Sequence, residues 1–151
     1  VLLTTLSLAA LVLVLDQAAK HLVMASLVPG QILTIVPHVL QLTYVRNPGA
    51  AYGFLSGSRW LLAGLALLLA GLGLFLAPRL ERPWERAALG LLIGGALGNM
   101  VDRVRWGLVT DFIEIKPLPI FQVFNLADLA ITAAVAWAVL RWLLESQQSR
   151  S

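Results

Sequence analysis

Between Trp60 and Ala77 the chain runs for 18 residues without a charged side chain. A helix rises about 1.5 Å per residue and the hydrocarbon core of a bilayer is about 30 Å thick, so a segment of this length and character is sized to cross a membrane. Coiled as a helix it is apolar on every face, and such a helix has no place on the surface of a soluble domain. The remainder of the chain suits the same surroundings. Of its 151 residues 59% are hydrophobic and 13% charged, about half the charged share that covers a water-facing surface. A soluble globular domain is therefore excluded. The lack of cysteine excludes disulfides, thiolate metal ligands and cysteine nucleophiles. Eleven Lys and Arg against eight Asp and Glu leave a net charge of +3. The basic residues are scattered beside apolar runs rather than gathered into a patch, so they are read as membrane flanks and not as a nucleic-acid surface.

Four segments are predicted to span the membrane, at approximately residues 2–27, 60–77, 87–103 and 124–144. The first is interrupted by Asp16, Lys20 and His21, and no Lys or Arg precedes Lys20, so it is expected to be a retained span rather than a cleaved signal peptide. The connectors are unequal: residues 28–59 and 104–123 are long, whereas 78–86 are few and polar. In the first long connector, Ile32–Val36 and residues 39–45 are β-branched and partly alternating around Pro37-His38, the pattern of a hairpin. Residues 107–115 supply a third candidate strand, closed by Lys116-Pro117-Leu118-Pro119. The expected fold is a single integral membrane domain over residues 1–151, with an all-α core of four transmembrane helices and a small extracytoplasmic β-sheet. No internal repeat is visible, and residues 146–151 read as a frayed polar tail.

Alternating spans place both long connectors on one side of the membrane. The chain has four aspartates, and three of them, Asp102, Asp111 and Asp128, fall on that side near the membrane boundary, with Asp16 deeper in the first span. The short loop carries Arg79, Arg82 and Arg86 in close succession. By the positive-inside rule it is cytoplasmic, which puts the sheet outside and both termini inside.

Each charge in or beside a span is costly and invites a reason. Asp16 and Lys20, four residues apart, share a helix face and read first as a structural salt bridge. His21 and His38 read as interfacial or loop residues. The third span carries Gly90-x3-Gly94-x3-Gly98, a small-residue stripe that lets a neighbouring helix come close. On the adjoining face stand Gly95, Asn99, Asp102 and Arg103. They fit either a packing glycine with an Asn hydrogen bond and an Asp102–Arg103 pair, or a shell supporting a nearby site. Asp128 in a first helical turn is explained by the helix dipole, and Asn125 by N-capping. Asp111 has no such explanation, because Asp is disfavoured in strands. Two carboxylates at close quarters cannot both ionise cheaply and so share a proton. One then acts as base on a water while the other donates to a substrate oxygen. By spacing alone, any pair among the four aspartates can serve.

Other chemistries fit less well. A proton- or ion-coupled membrane protein relaying through Asp16, Lys20 and Asp128 leaves Asp111 and the sheet without a task. A metal-dependent protease lacks His-Glu-x-x-His, and the chain has two histidines in all. A Ser–Lys protease finds no serine placed near Lys20 or Lys116.

Taken in order, Asp16-Gln17-x2-Lys20, Asn47-Pro48-Gly49-Ala50-Ala51-Tyr52-Gly53, Gly95-x2-Gly98-Asn99-x2-Asp102-Arg103, Val109-x-Asp111-Phe112 and Phe124-Asn125-x-Ala127-Asp128 closely resemble lipoprotein signal peptidase (signal peptidase II), a family of bacterial membrane aspartyl proteases. The resemblance runs from the first span to the fourth. It implies that Asp111 and Asp128 are the catalytic dyad. It also implies that Asp16, Lys20, Asn47, Gly95, Asn99, Arg103, Asn125 and Ala127 support the substrate and the dyad. The implied workplace is the outer half of the bacterial cytoplasmic membrane. The implied partners are membrane lipids and a diacylglyceryl-modified prolipoprotein, cut just before its lipidated cysteine; no metal, cofactor or nucleic acid enters this reading, and the chain is expected to act as a monomer. Tyr52 departs from the other aromatics common at its position, and the family's basic N-terminal flank is not in this sequence. A substrate whose signal segment and lipid chains both prefer the bilayer is expected to arrive laterally between helices. The glycine-bearing loop at residues 47–53 is expected to cover the scissile bond from the aqueous side and to move to admit it.

Overall fold

The structure, a computed structural model, describes residues 2–49, 55–117 and 123–148. Its elements are α1 (Leu2–Ser26), β1 (Ile32–Val36), β2 (Leu40–Asn47), α2 (Arg59–Leu76), a 3-10 turn (Ala77–Arg79), α3 (Pro83–Trp106), β3 (Val109–Ile115) and α4 (Leu126–Gln148). All four helices are long and apolar enough to cross a membrane, and the three strands form one small antiparallel sheet in the order β1-β2-β3. The expected fold class is the observed one.

Helix ends depart from the hydropathy limits where capping decides them. α3 starts at Pro83, upstream of the uncharged run, because proline suits the first helical position and Glu85 accepts the backbone N–H of Arg82 at 3.1 Å. It stops at Gly107, whose φ of 76° lets its N–H donate back to the carbonyl of Arg103 at 3.1 Å. α4 starts at Leu126, one residue after Asn125, for a capping reason that belongs to the site.

α3 packs against α1, α2 and α4. It is the least hydrophobic of the four helices and the most buried. That inversion follows from the solvent: lipid gives apolar side chains no reason to hide, so membrane helices associate through close packing of small residues. Large side chains such as Leu3, Leu68, Phe75 and Trp142 are exposed, while Ala9, Ala63, Ala66, Ala70, Ala130 and Ala134 are buried. The glycine stripe lies against α1. A Cβ at Gly90 would stand 2.9 Å from the Thr5 carbonyl oxygen, at Gly94 2.6 Å from that of Ala9, and at Gly98 2.6 Å from an Asp16 carboxylate oxygen. Gly95 faces α4 instead, where a Cβ would stand 2.5 Å from the Ala127 carbonyl oxygen.

β2 lies in the first long connector and β3 in the second, so their pairing brings both connectors to one end of the bundle. The register sets Val45 opposite Asp111 and Asn47 opposite Val109. It is reinforced where Gln41 and Thr43 both donate to Glu114 at 2.5 Å and Lys116 donates to it at 2.8 Å. Lys116 first, and then Thr43, hold the Glu114 carboxyl down at about 2. The sheet is fixed to the helices by Val23 of α1 burying against Tyr44 and Phe112. His38 sits in the β1–β2 turn with φ 60°. Just before α4, Phe124 exchanges backbone hydrogen bonds with Ile113, so the chain enters α4 from the edge of β3.

The backbone approach at Gly94 makes a side chain there costly. Gly94→Ala is expected to destabilise the bundle by about 1–3 kcal/mol. Gly71→Ala, where a Cβ meets nothing within 4 Å, is expected to be stabilising by about 0.5–1 kcal/mol through helix propensity. Equilibrium unfolding in mixed micelles checks both.

Candidate active site

Lys20 lies on α1 and its ammonium is 1% exposed. An ammonium has three donors and no acceptor, and each must find an oxygen where the side chain is buried from bulk solvent. Nζ lies 2.8 Å from Asp16 Oδ2, 3.1 Å from Asp102 Oδ2 and 3.0 Å from Asn99 Oδ1. The helical spacing supplies the first partner and the face of α3 supplies the other two. Each carboxylate is held further: Asp16 Oδ1 accepts the Ala127 backbone N–H at 2.9 Å, and Asp102 Oδ2 accepts that of Thr110 at 3.0 Å. Gln17 donates to Asp102 Oδ1 at 2.9 Å.

The Lys20 contact also settles the orientation of the Asn99 amide. Its oxygen must face the ammonium, so its nitrogen points away and donates to Asp128 Oδ1 at 2.7 Å. Asn125 caps α4 reciprocally with Asp128: the Asp128 N–H donates to Asn125 Oδ1 at 2.9 Å, and the Asn125 N–H donates to Asp128 Oδ2 at 3.3 Å. The Asn125 amide nitrogen then donates to Asp111 Oδ1 at 2.7 Å and to Asn99 Oδ1 at 3.0 Å. The other oxygen of Asp111 accepts from Asn47 Nδ2 at 2.9 Å. Asn47 in turn accepts the Gly49 N–H at 2.9 Å, and Arg103 Nη2 donates to the Gly49 carbonyl at 2.9 Å.

Asn125 thus bonds both carboxylates at once. Asp111 is 2% exposed. Burial first, and then the neighbouring Asp128 charge, push the Asp111 carboxyl up to about 7, against the pull of the Asn47 and Asn125 amides. A carboxyl that exchanges its proton near neutrality, beside a second carboxyl aligned by fixed donors, is equipped for paired acid–base chemistry. Among the described residues no group of three or more His, Cys, Asp or Glu is placed to hold a metal ion.

Asp16, Lys20, Asn47, Asn99, Asn125, Ala127, Asp111 and Asp128 meet in one connected set of hydrogen bonds. Gly95 joins by close approach to Ala127, and Arg103 by way of Gly49. Of the two readings of that face, the Asp102–Arg103 pair does not form: adjacent helical residues point apart, and Asp102 turns to Lys20 while Arg103 turns to Gly49. The site residues implied by the resemblance leave out Gln17 and Asp102, although Asp102 stood among the candidate aspartates and in the candidate supporting shell. The signal for them was their position within the two motifs that also supply Asp16, Lys20 and Asn99. Residues 50–53 of the glycine-bearing loop lie outside the described residues.

The chain as a whole is similar to known proteins. Residues 8–144 match the family model described as Signal peptidase (SPase) II. The chain is 41% identical over 143 residues to a lipoprotein signal peptidase of Moorella thermoacetica, spanning 92% of this chain and 91% of that protein. It is 42% identical over 136 residues to one of Pelotomaculum thermopropionicum, spanning 87% and 88%. A bacterial membrane enzyme solved by the in meso method at 2.3 Å superposes with a TM-score of 0.90 at 30% identity, covering 96% of this chain and 90% of the other.

The Lys20 cluster carries its own expectation. Lys20→Met leaves two buried carboxylates without their cation, a change that costs about 3–5 kcal/mol. Thermal unfolding in detergent is expected to show a correspondingly large loss of stability.

Proposed function

This chain belongs to the signal peptidase II family, and on that premise we propose that Asp111 and Asp128 form its catalytic dyad, removing signal peptides from diacylglyceryl-modified prolipoproteins by cutting just before the lipidated cysteine. Family membership makes the chain a hydrolase, an aspartyl protease that cleaves signal peptides, and a multi-pass membrane protein. The observation that carries the assignment of residues is that one side chain, Asn125, donates to Asp111 and caps against Asp128.

In this reading Asp111 rests protonated and Asp128 is the base. Asp128 takes a proton from a water, whose oxygen attacks the scissile carbonyl carbon, while Asp111 gives its proton to the carbonyl oxygen. The diol intermediate then collapses. Asp128 passes its proton to the leaving nitrogen as the C–N bond breaks, and Asp111 recovers a proton from the diol. Asn47, Asn99 and Asn125 hold the carboxylates in line, Lys20 orients the Asn99 amide, Asp16 holds the start of α4, and Gly95 and Ala127 let α3 and α4 close up. Arg103 holds the chain after β2 through the Gly49 carbonyl.

The substrate's apolar segment and lipid reach the dyad laterally from the bilayer. The site faces the outer side of the inner membrane, with both termini cytoplasmic. Two observations support that orientation: the density of Arg79, Arg82 and Arg86 in the short loop, and the ion pair of Arg82 with Glu145 near the end of α4, which sets that end beside the same loop. The chain acts as a monomer on lipid-modified precursors.

Processing of a lipidated precursor by Asp111→Asn and Asp128→Asn is expected to fall by about 10²–10⁴-fold with normal membrane insertion; wild-type cleavage by either variant overturns the assignment. A second expectation concerns pH. Asp111 must carry its proton to act as acid, so kcat/KM is expected to fall as pH rises through about 7. A profile that stays level well above neutrality contradicts that role.

A further inference from the structure

Asp102 is buried to 1% exposure on α3, and the reaction just described gives it no task. Its two oxygens are nevertheless fully engaged: Oδ1 by Gln17, Oδ2 by Lys20 and by the Thr110 N–H. Thr110 immediately precedes Asp111. On the other side of the same ammonium, Asp16 Oδ2 meets Lys20 and Asp16 Oδ1 holds the N–H of Ala127, which immediately precedes Asp128. The two halves are alike. In each, a buried carboxylate bound to Lys20 grips the peptide N–H one residue before a dyad aspartate.

From this geometry we infer that Asp102 is a positioning residue for the dyad, fixing Asp111 through the Thr110 N–H as Asp16 fixes Asp128 through the Ala127 N–H, with Lys20 as the common pivot. The inference rests on the dyad assignment above. Its physical content is that β3 and α4 reach the site from opposite ends of a connector, so neither element by itself sets the separation of the two carboxyls. The backbone of β3 is paired to β2 and the start of α4 is capped by its own Asn125. The continuous line Thr110 N–H, Asp102, Lys20, Asp16, Ala127 N–H ties the two across α1. Gln17 steadies the Asp102 end and also donates to the Gly98 carbonyl at 3.1 Å, at the close approach between α3 and α1.

A residue that merely satisfies a buried N–H changes how much enzyme folds. One that sets the dyad's separation also changes the chemistry of the molecules that do fold. The charged groups facing Asp111 are Asp128 on α4, Lys20 on α1 and Arg103 on α3. Loosening β3 relieves the burial of Asp111 and weakens the influence of Asp128, so the basic limb of the pH profile moves to lower pH. Asp102→Asn keeps an oxygen for the Thr110 N–H, whereas Asp102→Ala removes it. The graded effect of the two therefore separates positioning through that bond from loss of a charge.

The test is steady-state cleavage of a lipidated precursor by the full chain in micelles, with Asp102→Ala, Asp102→Asn and Asp111→Asn in parallel and rates normalised to folded enzyme. The expected result is a kcat loss of about 10²-fold for Asp102→Ala, unchanged KM, a basic limb displaced to lower pH, and a smaller kcat loss for Asp102→Asn. Wild-type kcat in Asp102→Ala, equal losses in the two variants, a loss with an unmoved basic limb, or failure of both variants to accumulate as folded protein each overturns the inference. Cleavage by Asp111→Asn at the wild-type rate would instead remove the dyad assignment, a failure distinct from that of the Asp102 arm.

Discussion

A single ammonium inside an apolar bundle shapes this structure. Lys20 cannot be hydrated where it lies, and burying an unpaired charge is far more costly than any packing gain nearby can offset. Every donor of Lys20 must therefore meet an oxygen, and those oxygens come from α1 and α3 together. Close approach of the two helices is then required rather than incidental, and the glycines at 90, 94 and 98 are what permit it. The same requirement leaves the outer oxygen of Asp16 aimed at a backbone N–H of α4, while the Asp102 oxygen that meets Lys20 also accepts a backbone N–H of β3. Satisfying one cation thus organises both elements that carry Asp111 and Asp128.

Beyond that pivot the site is built from amides. Asn47, Asn99 and Asn125 are neutral, have donors and acceptors in fixed geometry, and bring no charge to compete with the carboxylates. Their order follows from donor and acceptor matching: the ammonium turns the Asn99 oxygen inward, Asn99 and Asn125 face each other, and the remaining donors reach Asp111 and Asp128. The Asn125–Asp128 pair serves as an ordinary helix cap as well, so stability of the first turn of α4 and alignment of the site are one arrangement. The fold leaves Asp111 buried beside a like charge, and its proton affinity rises accordingly.

Much of this is legible in the sequence because the bilayer imposes a coarse code. Uncharged runs of membrane-spanning length, alternation of sides and β-branched pairs suffice for four helices and three strands. Hydropathy does not set where helices stop; Pro83, Glu85, Gly107 and Asn125 do so through individual hydrogen bonds. The proposed dyad is only half legible. Spacing leaves every pair of aspartates open, and family motifs, rather than periodicity, single out Asp111 and Asp128. Asp102 is the clearest case of what a linear reading loses. Its neighbour Arg103 looks like its partner, yet consecutive helical residues diverge, and its true partner lies on another helix far away in the chain. Nothing local in the sequence records that contact.

A proton shared between Asp111 and Asp128, which have Asn125 as common partner, underlies the proposed chemistry. Its most direct test is a carbon-13 NMR titration of the aspartate carboxyls in the micelle-bound protein, assigned by substitution, with and without Asp128→Asn. Shared protonation requires Asp111 to titrate near 7 in the unsubstituted chain and at distinctly lower pH once the neighbouring charge is gone. An Asp111 that titrates near the ordinary aspartate value of about 3.9, or whose titration ignores the loss of Asp128, contradicts the account.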